Sequence, residues 1–209
     1  NPWFVMAHFM LSMVILIFTV WLVWNASHGP GRRVRAPEHP RGDRVLVYSV
    51  RALAALCALT LIGGTMSTAA GPHSGAHAGQ HVGRLHFYGA HTLAWAIEQH
   101  ATVAVVFGVA TVLIWLLKRA RTGRIEPFEP LALVAILTAA QGMLGALQYE
   151  LKLPSQLVWL HVGLATFTWV GVLRAVAIEG CMARRPVRAS DTETLDTIMP
   201  EWSQSVPAH

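Results

Sequence analysis

Charge is scarce in this chain. Asp, Glu, Lys and Arg together make up 13% of its 209 residues, while hydrophobic residues make up 54%. Mean hydropathy is +0.44. A soluble globular domain carries about 25% charged residues, so this balance excludes one. Cysteine is nearly absent: Cys57 and Cys181 are the two. They fall in the middle and at the end of different hydrophobic runs, too far apart to pair with each other. A disulfide scaffold is thereby excluded, and so is a cysteine-rich zinc site. None of the apolar runs reads as a cleavable signal peptide, because the first is too long and has no basic flank before it. The isoelectric point near 9.9 does not indicate nucleic acid, because the basic residues sit in loops beside the apolar runs.

Those runs are what the chain does have. A helix needs roughly 20 mainly apolar residues to cross the hydrocarbon core of a membrane. Five stretches qualify, at about 3–24, 45–66, 92–117, 130–148 and 157–178, the fourth being the shortest. The expected fold is an all-α integral membrane protein with five transmembrane helices. The loop after the first span carries Arg32, Arg33, Arg35, Arg41 and Arg44, and the loop after the third carries Lys118, Arg119, Arg121 and Arg124. After the fifth come Arg174, Arg184, Arg185 and Arg188, whereas the two remaining loops hold only Arg84 and Lys152. By the positive-inside rule the N-terminus lies outside and the C-terminus in the cytoplasm. A polar tail over 183–209 reads as disordered.

Within the spans, one phrase recurs. Val5-Met-Ala-His8 and Val158-Trp-Leu-His161 both read Val-x-x-His ahead of a long apolar run. Counting inward from Pro2, Pro154 and Trp95, His8, His161 and His100 lie six, seven and five residues inside their spans. At 1.5 Å per residue these are depths of roughly 8–10 Å, all on one side of the membrane. A lone histidine there reads as a core residue bonded to a carbonyl or a serine. Three at one depth, two of them in a repeated phrase, point to a cofactor, since an ionisable group within a span is costly. Structural zinc asks for four ligands, but haem iron asks for two axial imidazoles, which facing helices of a bundle can supply. His100 and His161 form such a pair, and His8 is left without a partner.

Other residues are open to two readings. His73, His77, His81 and His86, with His91 after them, would align on a helix and suggest a copper or zinc site. Gly71, Gly75, Gly79, Gly83 and Pro72 oppose that helix, so the segment reads as an outer loop covering the site. Arg84 is either a solvated charge or a partner for a carboxylate such as a haem propionate. Gly63-Gly64 and Gly142-x-x-Gly145 read as close-packing devices between helices. Gln141 and Gln148 read as packing residues able to bond across helices or to a cofactor. Trp3, Trp21, Trp24, Trp95 and Trp115 read as interfacial anchors.

Three segments together resemble the haem A synthases: Gln141-Gly-Met-Leu-Gly-Ala-Leu-Gln-Tyr149 with Leu153-Pro154 and Val158-Trp-Leu-His161; Asn1 to Ser12; and Gly63-Gly64-Thr65 followed by Ala70-Gly-Pro-His73. The resemblance covers 1–178. It implies eight helices in two four-helix halves, each half with a pair of haem-ligating histidines, and oxidation of a ring methyl of haem O to the formyl group of haem A. On that basis 1–25 corresponds to a lone helix of the first half, 26–44 to a basic cytoplasmic loop, and 45–182 to a complete haem-binding second half. The chain is then expected to be a fragment, inactive alone, with the family's catalytic glutamate upstream of residue 1. Glu98 does not stand in for it, being two residues, or about 200° of helix, from His100. The cysteine pair that some members carry in their outer loops is lacking as well.

The resemblance carries haem iron ligation over to His100 and His161 for a resident haem b, and to His8 for the substrate haem. Arg84 is the candidate propionate partner. Expected partners are haem O and haem A, an electron donor that the motifs do not specify, haem O synthase, a terminal oxidase, the lipid of the plasma membrane, and further copies of the chain. Nucleic acid is not among them. From another functional class, a b-type cytochrome subunit would share the bis-histidine ligation but is expected to place pairs in both leaflets. A transporter with a histidine proton relay is the third reading.

Overall fold

The computed structural model describes residues 1–28, 44–72, 83–123 and 129–180. Five helices cover almost all of them: α1 (Pro2–His28), α2 (Arg44–Ala70), α3 (Thr92–Thr122), α4 (Pro130–Glu150) and α5 (Ser155–Ala175). A short 3-10 turn, Gly89–His91, leads into α3, and a π-helical segment, Val176–Gly180, continues α5. No strand occurs among the described residues. All five helices are long and apolar enough to cross a membrane, so the chain is all-α and of multi-pass membrane type. The helices outrun the sequence-derived spans by a few residues at most ends, notably to Ala70 in α2 and to Thr122 in α3. Apolar runs mark hydrocarbon thickness, whereas helical hydrogen bonding continues into the polar boundary.

Local chemistry explains the boundaries. Pro130 opens α4, where its missing N–H would have had no partner anyway. Gly123 closes α3 with φ of 62°, and its N–H donates to Arg119 O at 3.0 Å. That left-handed cap suits glycine. Inside the helices, hydroxyls are satisfied by their own backbone. Ser12 donates to His8 O at 2.8 Å, Thr111 to Phe107 O at 2.8 Å and Thr138 to Val134 O at 2.7 Å. In a lipid surround each polar group must find an internal partner, and the i−4 carbonyl is the nearest one.

Helices α2, α3, α4 and α5 form a closed ring of neighbours, α2 on α3, α3 on α4, α4 on α5 and α5 back on α2, while α1 packs outside on α2 and α5. The mid-level core contains Val50, Leu53, Cys57, Phe107, Leu131, Val134, Trp169 and Val172. Small residues set the spacing: a Cβ at Gly108 would lie 3.3 Å from Thr138 Cγ2, and one at Gly171 would lie 3.0 Å from Val134 Cγ2. Helix α1 is tied on by Trp169, whose indole N–H donates to Met13 O at 3.1 Å. Its outward flank bears exposed Phe4, Leu11, Ile15, Phe18 and Leu22. For a membrane helix that flank is a lipid- or protein-facing surface.

One end of the bundle is closed by charge. Lys118 Nζ lies 3.0 Å from Glu129 Oε1 and also pairs with Glu179. Trp115 Nε1–H donates to Glu129 Oε2 at 3.0 Å, and the Arg119 guanidinium sits 5.1 Å above the Trp115 ring. The cluster joins the end of α3 to the start of α4 and the end of α5. Lys118 and Trp115, which the sequence reading assigned to a loop charge and an interfacial anchor, are half-buried parts of this staple. Arg32, Arg33, Arg35, Arg41, Arg124, Arg184, Arg185, Arg188 and the tail 183–209 lie outside the described residues.

Candidate functional site: a histidine pair at the other end

At the opposite end, α3 and α5 bring His100 and His161 together. Their ring centroids are 6.3 Å apart and the ring planes meet at 75°. The separation has a chemical meaning. Two metal–imidazole bonds of roughly 2.0–2.1 Å, plus about 1.1 Å from each ligating nitrogen to its ring centre, add to roughly 6.3 Å. The observed centroid separation equals that sum. Among the described residues no group of three or more His, Cys, Asp or Glu is placed to hold a metal ion. Two imidazoles alone suit a metal that arrives with its own equatorial ligands, as haem iron does.

The second helix prepares His100. Its Nδ1 lies 2.9 Å from the Thr60 carbonyl. A carbonyl only accepts, so Nδ1 carries the proton and Nε2 keeps its lone pair for a metal. Metal-bound histidines are commonly oriented by such a bond. Room for the ring comes from α2 as well. A Cβ at Gly63 would lie 3.3 Å from His100 Cα, and one at Gly64 would lie 3.2 Å from His100 Cε1.

His161 has a similar clearance across from α4, where a Cβ at Gly145 would lie 3.4 Å from its Cε1. Its Nδ1 is buried without a hydrogen-bond partner, and so are Oε1 of Gln141 and Oε1 of Gln148. On a helix, Gln141, Gly145 and Gln148 share one face. Buried polar atoms left unpaired cost about 1–3 kcal/mol each. Two of these atoms lie on the α4 face that carries Gly145, the residue packed against the His161 ring. Gly142 plays no such part, because nothing lies within 4 Å of its Cβ position.

The other candidates are not gathered here. His8 is exposed on α1, and its ring meets that of its neighbour Phe9 edge-on at 6.0 Å. Arg84, His86 and His91 are exposed. Leu85, beside Arg84, is buried against Ala69 and Ala70 and donates to Ala69 O at 3.1 Å, which fixes this strand of loop against α2. His73, His77 and His81 lie outside the described residues, as does Cys181. Glu98 is exposed on α3, and Cys57 is buried in the mid-level core.

Sequence reasoning paired His100 with His161 by depth but missed what surrounds them. The glycines were read as general packing devices, and the Thr60 carbonyl carries no signal in its residue type. A Gly-Gly pair on the helix preceding the histidine helix was the available clue. No protein-family profile, curated protein or solved structure matches the chain.

Proposed function

We propose that this chain is a haem-binding membrane protein of the haem A synthase type, with His100 and His161 as the axial ligands of a haem b. The observation that carries the proposal is the imidazole pair, 6.3 Å between centroids, with His100 Nδ1 anchored on Thr60 O. The resident haem would supply redox chemistry at iron. The protein's own contributions are distinct: α3 and α5 hold the imidazoles, the Thr60 carbonyl fixes one tautomer, and Gly63, Gly64 and Gly145 leave the rings room. Arg84, at the same end of the bundle, is the proposed propionate partner. His8 is the proposed ligand on the side of the substrate, haem O, whose ring methyl becomes the formyl group of haem A. This part rests on the motif resemblance. The basic loops support an orientation in the plasma membrane with the histidine end outside and the lysine end in the cytoplasm.

A b-type cytochrome subunit that only transfers electrons is the second reading. It draws on the same imidazole pair and the same anchor of His100 on Thr60, with no chemistry of its own.

An absorption spectrum of the purified chain tests the shared core of both readings. Sharp low-spin haem b bands are expected, and substituting either histidine by alanine should abolish the six-coordinate form. Unaltered spectra in both single variants would exclude the assignment. Haem extraction from a host lacking its own synthase separates the two readings, since haem A accumulates only if the chain, alone or with a co-expressed partner, oxidises haem O. A thiol probe at position 35 should react only from the cytoplasmic side and one at position 75 only from outside. The reverse pattern overturns the orientation.

A further inference from the structure

The two imidazoles are held very differently. His100 is fixed by a hydrogen bond from Nδ1–H to a helix carbonyl on α2, at 2.9 Å. His161 Nδ1 is buried and no protein group bonds it. Both rings turn their Nδ1 and Cε1 edge to a glycine of the neighbouring helix, so the difference is not one of access. It lies in what the neighbouring helix gives: a hydrogen bond from a backbone carbonyl for one ring and no hydrogen bond for the other.

A hydrogen bond at the outer nitrogen of a ligating imidazole does two things. It restricts rotation of the ring about its side-chain bonds, and it raises the basicity of the ligating nitrogen; losing such a bond typically weakens ligation by about 10–100-fold. We infer that His100 is the anchored axial ligand and His161 the exchangeable one, so that a small neutral ligand such as carbon monoxide enters at the His161 side. This inference rests on the haem reading above. With haem bound, the change would be a ligand exchange in which His161 Nε2 would give up its place, keeping its lone pair, to the incoming carbon. No electron or proton changes hands. The buried oxygens of Gln141 and Gln148 lie on the α4 face that adjoins His161, and offer acceptors towards which a released ring can turn its N–H.

The test uses the full chain loaded with haem b in detergent. His161→Gly should keep near wild-type haem content, show a five-coordinate high-spin spectrum, and return to low spin when imidazole is added. His100→Gly should lose haem affinity by at least about tenfold, the lower end of what an orienting partner contributes. Equal haem content in the two variants, or an emptier His161 variant, overturns the inference while leaving bis-histidine ligation standing. A wild-type chain with no haem bands overturns the haem reading instead. Should either variant lose its helical circular dichroism, Gly145→Ser decides the matter. A Cβ at Gly145 lies 3.9 Å from His161 Nδ1, so a serine hydroxyl can reach that nitrogen and supply the missing partner. Carbon monoxide binding to the reduced protein should then weaken about tenfold, and unchanged binding overturns the inference.

Discussion

The two ends of the bundle treat buried polar groups in opposite ways. At the lysine end, a carboxylate that is only 6% exposed, Glu129, receives a lysine and an indole N–H, and the same lysine reaches Glu179. Every partner comes from the chain itself. At the histidine end, one imidazole is anchored and the other is not, and two glutamine oxygens beside it are buried without partners. At the lysine end the charges meet one another within the chain, Glu129 Oε1 through its 3.0 Å ion pair with Lys118 rather than through a hydrogen bond, whereas the three neutral atoms at the other end have no such partner. Unsatisfied buried groups are rare in native interiors, which makes the histidine end the candidate site.

Breaking the staple should produce the largest effect. Lys118→Met removes the one cation shared by Glu129 and Glu179, stranding two carboxylates against apolar helix ends. Removing one partner of a buried ion pair costs about 3–5 kcal/mol. The expected outcome is a fall of that size in unfolding free energy, followed by circular dichroism in detergent. If the haem-loaded variant remains folded, its absorption bands should not move, since the lysine and histidine ends are separated by the mid-level core. A spectral shift would show that the ends are coupled and would end the division drawn above.

Gly64→Ala acts at the other end with a smaller effect. The new methyl would sit 3.2 Å from His100 Cε1, and the ring cannot retreat without straining its bond to Thr60. Overpacking of this kind costs about 1–3 kcal/mol. Here the spectrum should change, through a weakened His100 ligand, while the lysine end is untouched. If Gly64→Ala leaves both stability and bands at wild-type values, the glycine is not what accommodates the ring.

Much of this architecture was legible in the sequence, and the gaps have physical causes. Apolar length gave the five helices, because membrane thickness is a property that composition alone must match. Equal depth gave the pairing of His100 with His161, since helix rise converts residue number directly into height. Rotation about each helix axis is not so readable. Nothing in residue type said that Gly64 rather than Gly142 would face a histidine, or that Trp115 would give its indole N–H to Glu129. The Thr60 carbonyl was out of reach for a deeper reason: a backbone group has the same identity at every position, so its role exists only once two helices are packed. His8 shares its phrase with His161, yet the fold leaves it exposed on α1, which no local pattern could distinguish.

A milder test concerns how firmly α1 belongs to the ring of four. Trp169, 5% exposed, donates its indole N–H to Met13 O, bridging α5 and α1. Trp169→Phe keeps most of the ring volume but removes the donor, and a single neutral hydrogen bond contributes about 1 kcal/mol net. The expected result is a stability loss near that value together with faster proteolysis or amide exchange confined to α1. Uniform loss of protection across all helices would instead make α1 an integral part of the bundle.

The smallest expected effect lies in the turn that aims α5. Lys152 and Leu153 both adopt left-handed backbone, with φ of 59° and 62°. Such a conformation is unfavourable for residues bearing a Cβ, by about 1–2 kcal/mol in the helical case. The turn persists because its hydrogen bonds over-determine it. Lys152 N–H donates to Tyr149 O at 3.1 Å and Leu153 N–H to Gln148 O at 2.8 Å, after which Pro154 opens the approach to α5 with its φ fixed near −65°. Exposed Lys152 takes no part in the core, so Lys152→Gly removes strain without removing packing. Part of that gain is offset by the greater freedom of glycine in the unfolded chain. A net stabilisation of a few tenths of a kcal/mol is expected, read as a small rise in unfolding midpoint. Because His161 lies at the second turn of the helix that this bend directs, the haem bands provide a second readout. They should stay where they are if the bend is held by its backbone bonds. They should broaden if the strain at Lys152 is part of what sets the distance between the two imidazoles.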